Sequence, residues 1–115
     1  MYSPIESLLD WLSEQGYTAH TYPPKNAPSE FVTAERTGGG ISDVVDRPTI
    51  AVQTWAQSEA RAEEMALEIR NATLTSRPYG FYAMAVNAGP YPFWDEETGC
   101  ARYQTLYECT TVAVD

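Results

Sequence analysis

One histidine, two cysteines and seven basic residues are all that this chain of 115 residues offers to several kinds of chemistry. Two cysteines, Cys100 and Cys109, are too few for a disulfide scaffold and cannot supply a metal-ligand quartet. With one histidine, His20, neither a triad nor a zinc site can be assembled from familiar parts. Seven Lys and Arg against sixteen Asp and Glu give a net charge of −9. A chain so short of cations lacks the positive face that sequence-independent binding of nucleic acid requires. No apolar run approaches the roughly 18 residues that cross a bilayer, so no membrane association is expected. The opening residues show no basic stretch followed by an apolar one, so no signal peptide is expected. A soluble protein made in a reducing cytoplasm, with both thiols unpaired, is the implied setting.

What is present suits one α+β domain, residues 1–115, whose single core needs neither disulfides nor metal. Ser3-Pro4-Ile5-Glu6 reads as a capping box with Pro at the first helical position. Ile5, Leu8, Leu9 and Leu12 continue it at helical spacing to about Gln15, where Gly16 stops it. Tyr17 to Tyr22 is compatible with a short strand, and Tyr22-Pro23-Pro24-Lys25-Asn26-Ala27-Pro28 with a stiff connector. Phe31 to Thr37 and Thr49 to Trp55 read as two strands, with Gly38-Gly39-Gly40 in the long tip between them. Ser58 caps a second helix whose inner stripe is Ala62, Met65, Ala66, Ile69 and Ala72. Phe81 to Asn87 is a third strand, Ala88 to Gly99 an irregular aromatic loop, and Ala101 to Val114 a long fourth strand. Its apolar phase shifts near Thr110, which predicts a bulge there. The expected architecture is one mixed or antiparallel sheet of about four strands with both helices on one face. Strands two and three are expected to cross over right-handedly if they are parallel neighbours.

No constellation of catalytic, cofactor-binding or metal-binding residues stands out. The glycines lack the Lys-Ser/Thr and the following helix that a phosphate loop needs, and Asp43 and Asp46 stand close by. Asp95, Glu96 and Glu97 lack the alternating pattern of a calcium loop. The residues that invite a functional reading are the arginines at strand and loop boundaries, Arg36, Arg47, Arg77 and Arg102, and the aromatic pair Phe93 and Trp94. Arginine forms bidentate pairs with carboxylates, and exposed aromatics mark interfaces. Arg36, Arg47, Arg102, Phe93 and Trp94 are therefore candidates for contact between subunits. Pairing within the chain, such as Arg47 with Asp46 or Asp43, is the alternative.

The ordered set "FVTAERTGG", "DRPTIAVQTWAQSEARAEEMALEIRNA" and "ARYQTLYECTTVAV" resembles the tail terminator proteins of long-tailed bacteriophages, especially those of actinobacterial hosts. The resemblance rests on Arg36 with Gly38-Gly39, Asp46-Arg47-Pro48, Trp55, the helix from Ser58 to Ala72, and Arg102-Tyr103. The third glycine and the Phe93-Trp94 loop depart from that pattern. The resemblance implies a structural virion protein at the head–tail junction, without enzymatic activity or cofactor. It implies a homo-oligomeric ring, typically a hexamer, that caps the tail tube, ends its growth and offers a surface to the head connector. DNA would pass through the opening without specific binding. A neighbouring head–tail joining protein, or a small enzymatic or ligand-binding domain, is the alternative function.

Overall fold

The computed structural model describes residues 1–97 and 99–113. Its first helix, α1 (Pro4–Glu14), starts as its sequence dictates: the Ser3 hydroxyl accepts from the Glu6 N–H at 3.2 Å, with Pro4 in the first turn. Leu8, Trp11 and Leu12 are buried, so Trp11 joins the expected leucine stripe. Gly16, at φ +99°, turns the chain into a two-residue strand, β1 (Ala19–His20). Strands β2 (Phe31–Ser42) and β3 (Val45–Ala56) form a hairpin. Helix α2 (Glu59–Ala72) follows, its N-terminus closed by the Ser58 hydroxyl accepting from the Arg61 N–H. Strands β4 (Phe81–Pro92) and β5 (Ala101–Val112) complete the fold.

The architecture is α+β: two helices and a single mixed sheet of five strands in the order β1-β2-β3-β5-β4. The additional strand is β1, which joins β2 in parallel through Ala19↔Val32 and His20↔Thr33. All other pairs are antiparallel. Leu8, Trp11 and Leu12 of α1 and Ala62, Met65 and Ile69 of α2 belong to one apolar cluster. The cluster also takes Val32 and Ala34, Ile50 and Val52, and Tyr107 and Cys109, alternate residues that share one sheet face. Both helices thus cover the same face.

Three local expectations are corrected. Gly38, Gly39 and Gly40 are not the hairpin tip; they pair with Thr49, Pro48 and Arg47, and the chain turns at Asp43-Val44. Gly39 sits at φ +90° against β3, where an added Cβ would lie 2.0 Å from the Arg47 carbonyl oxygen. A single tight backbone approach, just after a register shift between Arg36 and Gly38, accounts for that glycine. Second, β4 continues past Asn87 to Pro92 through register shifts at Val86/Ala88 and Ala88/Tyr91. A strand at the sheet edge tolerates Gly89 and Pro90, since the missing donor can lie on the outer side. Third, β5 keeps its phase: Tyr107, Cys109 and Thr111 are all buried. The irregularity lies opposite, in β4, between Phe81 and Ala83. Val114, expected to carry the shifted phase, lies outside the described residues. In addition, β3 and β4 run in the same direction but are not neighbours, because β5 lies between them.

Candidate interaction surface

The sheet face away from the helices has no second layer over it among the described residues, yet part of it is as well packed as a core. Register puts Phe31, Trp55 and Arg102 on one rung across β2, β3 and β5. The next rung on that face is Thr33, Gln53, Gln104 and Tyr91, across β2, β3, β5 and β4. Strand alternation brings all seven side chains to the same side.

On the first rung the Phe31 and Trp55 rings stack at 5.1 Å, 14° from parallel. The Arg102 guanidinium lies 4.6 Å from the Trp55 ring centre and 4.3 Å from that of Phe93. Its Nε donates to the Phe93 carbonyl at 2.7 Å. A cation between two aromatic faces is attracted by both, and the hydrogen bond fixes its plane. No ion pair joins Arg102 to a carboxylate among the described residues.

On the second rung the side chains form an unbroken hydrogen-bond chain. Trp55 Nε1 donates to Thr33 Oγ1 at 3.0 Å, and Thr33 Oγ1 donates to Gln53 Oε1 at 3.0 Å. Gln53 Nε2 donates to Gln104 Oε1 at 2.7 Å, and Gln104 Nε2 to the Tyr91 hydroxyl at 2.7 Å. Thr33, Gln53, Trp55 and Gln104 are buried. Satisfied buried polar chains hold side chains in one arrangement, so the first rung rests on a rigid base. A hollow of about 310 Å³ opens over both rungs, with Tyr22, Pro23, Glu35, Trp55, Phe93 and Arg102 on its walls.

The five candidate residues divide. Arg102 and Phe93 meet in this cluster, and Trp94, 58% exposed, continues it outward. Arg36 does not join them. Its Nη1 and Nη2 donate to the two Asp46 carboxylate oxygens at 2.6 and 2.8 Å, across the hairpin. This bidentate contact holds the buried Asp46 carboxyl below the usual carboxylate range. Arg47 is exposed on β3 and pairs with neither Asp43 nor Asp46. Pairing within the chain therefore does occur, through Arg36 rather than Arg47.

Arg61, read from sequence only as part of the solvated face of α2, has more partners than any of these. It holds Glu30 with Nε at 2.9 Å, and also Glu64 and Glu68. Tyr17 donates to Glu68 at 2.6 Å. The set ties Glu30, just before β2, and Tyr17, just before β1, to α2. The helical spacing of Arg61, Glu64 and Glu68 was visible in the sequence; the partnership with Glu30 was not.

The larger concave region is a groove of about 950 Å³ beside α1, lined by Tyr2, Glu6, Asp10, Trp11, Arg77 and Tyr79. Cys109 is buried, and burial pushes its thiol up to about 12, which leaves it protonated and unreactive at neutral pH. Among the described residues no group of three His, Cys, Asp or Glu is placed to hold a metal ion. In the cluster around Arg102, Phe31 and Trp55 are buried, Arg102 is half-buried, and Phe93 and Trp94 are exposed; arginine and aromatic rings are residue types that dominate interface energetics. Compared with family models and with curated proteins, the chain matches none.

Proposed function

We propose that this chain is a structural subunit of a phage tail terminator: copies close into a ring, hexameric in the manner of the family it resembles, at the head-proximal end of the tail tube. There the ring ends tube growth and presents a surface to the head connector. The observation that carries the proposal is the two-sided character of the sheet. One face is sealed by α1 and α2. The other carries the Phe31-Trp55-Arg102-Phe93 stack on its polar base, with Trp94 extending from it. Arg102, half-buried between Trp55 and Phe93, and the exposed Phe93 and Trp94 beside it offer an assembling subunit preorganised contact at little further entropy loss.

Charge supports the same reading. Glu6, Asp10 and Glu14 lie on α1, which carries no cation, and Glu59 and Glu63 on α2, where Glu64 and Glu68 are paired with Arg61. A ring surface built from these helices repels the phosphate backbone, so DNA can slide past it without adhering. Deleting the gene from the phage that carries it tests the proposal: tails of uncontrolled length are the expected result. Tails of normal length that fail to join heads would assign the protein to the joining step instead. Normal, infectious particles would refute both.

A further inference from the structure

The sheet ends on both sides in backbone that has no neighbouring strand. β1 pairs with β2 at two positions only, so among the described residues β2 has no strand on its outer side from residue 34 to residue 42. On the opposite side β4 is the last strand, and its whole outer side is bare among the described residues. Exposed edges of this kind are templates for another strand, and proteins that must stay single usually guard them with charge. β4, Phe-Tyr-Ala-Met-Ala-Val-Asn-Ala-Gly-Pro-Tyr-Pro, contains no charged residue. Its irregularities leave residues 83–86 in unbroken register with β5. Residues 38–42 of β2 are likewise in unbroken register with β3.

Two glycines in β2 answer to nothing inside the chain. Gly38 and Gly40 are exposed, neither has a positive φ, and a Cβ added to either would meet no atom within 4 Å. Glycine inside a strand is destabilising relative to alanine. Where the chain itself gives no reason for it, close approach of another backbone does.

Strand direction decides which backbone. β2 runs opposite to β3, β3 opposite to β5, and β5 opposite to β4, so β2 and β4 run in opposite directions. Repeating the subunit side by side, helices kept to one face, sets β4 of one copy antiparallel to β2 of the next. Register places Gly38 and Gly40 opposite Thr49 and Arg47, and Ala83 and Ala85 opposite Thr110 and Glu108. All four small residues therefore lie on the face away from the helices, with no bulky side chain between the two edges there. A symmetric β4–β4 or β2–β2 dimer would leave the other edge bare in both copies; the head-to-tail contact leaves none. Such heterologous contacts close into rings when the rotation per step allows it.

We infer that β4 of one copy pairs antiparallel with residues 38–42 of β2 in a second copy, joining the sheets head to tail. This rests on reading the chain as a ring subunit, and it identifies the surfaces that meet. The test uses the full chain carrying Cys100→Ser, the buried Cys109 being retained. Gly40→Cys and Ala85→Cys variants are prepared singly, mixed, and oxidised mildly. The expected product is a disulfide dimer containing one copy of each variant, with a ladder of higher species when both substitutions share one chain. Ser42→Cys with Ala83→Cys serves as a second pair, one step onward along β2 and one step back along β4, as antiparallel strands require. Homodimers alone, or no cross-linking in either pair, would overturn the inference. As a second measurement, Gly38→Lys/Gly40→Lys is expected to leave the thermal midpoint within a few degrees and to reduce assembly at least tenfold by native mass spectrometry. An assembly indifferent to the lysines would also overturn it, while leaving the ring reading intact. Mixed cross-links in a protein whose deletion leaves tails normal would retain the edge contact and reject the tail role.

Discussion

The two faces of the sheet are both packed, but by different means. Beneath the helices, Leu8, Leu12, Ile50, Met65 and Ile69 exclude water through apolar contact alone. On the uncovered face, Thr33, Gln53 and Gln104 are buried by pairing with each other under an aromatic and cationic cap. Apolar packing is non-directional and supplies most of the stability. Hydrogen-bonded packing adds less net stability and fixes geometry. The molecule thus separates what holds it folded from what it presents outward.

That separation can be broken from the covered side first. Leu12→Ala, fully buried between α1 and the sheet, is expected to lose about 3 kcal/mol in urea unfolding. A loss under about 1 kcal/mol would mean α1 is not part of the core. Asp46→Asn should cost about 2 kcal/mol, because it strips a charge-assisted pair and leaves Arg36 unmatched. Its pH dependence has a definite sign. The folded-state carboxyl titrates below its unfolded value, so its contribution is complete above the ordinary carboxylate range and disappears as pH falls through the depressed folded value. The acid limb of a stability-versus-pH curve should therefore be shallower in the Asn variant; an unchanged limb would remove Asp46 from the pair.

Arg102→Ala sharpens the contrast from the other side. The expected loss of monomer stability is about 1 kcal/mol or less, measured by the same unfolding, with a far larger fall in assembly by native mass spectrometry. Equal effects on both would make Arg102 a folding residue. The smallest change concerns Tyr107, fully buried with a hydroxyl that finds no partner among the described residues. Burial pushes this phenol well above its usual range. Tyr107→Phe should be neutral or stabilising by up to about 1 kcal/mol. Destabilisation beyond that would point to a buried water bonded there.

Much of this was legible beforehand, for physical reasons. Helix caps are local, and Ser3, Pro4 and Ser58 behaved as their chemistry requires. The stripe of α2 followed from spacing, and the placing of both helices on one face from the order of the elements. What escaped was register. Gly38, Gly39 and Gly40 look like a turn until β3 is laid beside them, and only then does Gly39 prove to be a close approach within a ladder. The Arg36–Asp46 pair joins two strands and the Thr33-Gln53-Gln104-Tyr91 chain joins four. The one trace of them in the sequence was polar Thr and Gln at alternate positions of strands otherwise apolar enough to be buried. Arg102 and Phe93 were chosen for their chemistry; their meeting over Trp55 came from the fold.

The most direct measurement is the position of the protein in the particle. Immunogold labelling of purified phage should place one cluster per particle at the junction of head and tail, on the end of the tube. Particles free of label, or label spread along the tail, would contradict a subunit made to cap that end.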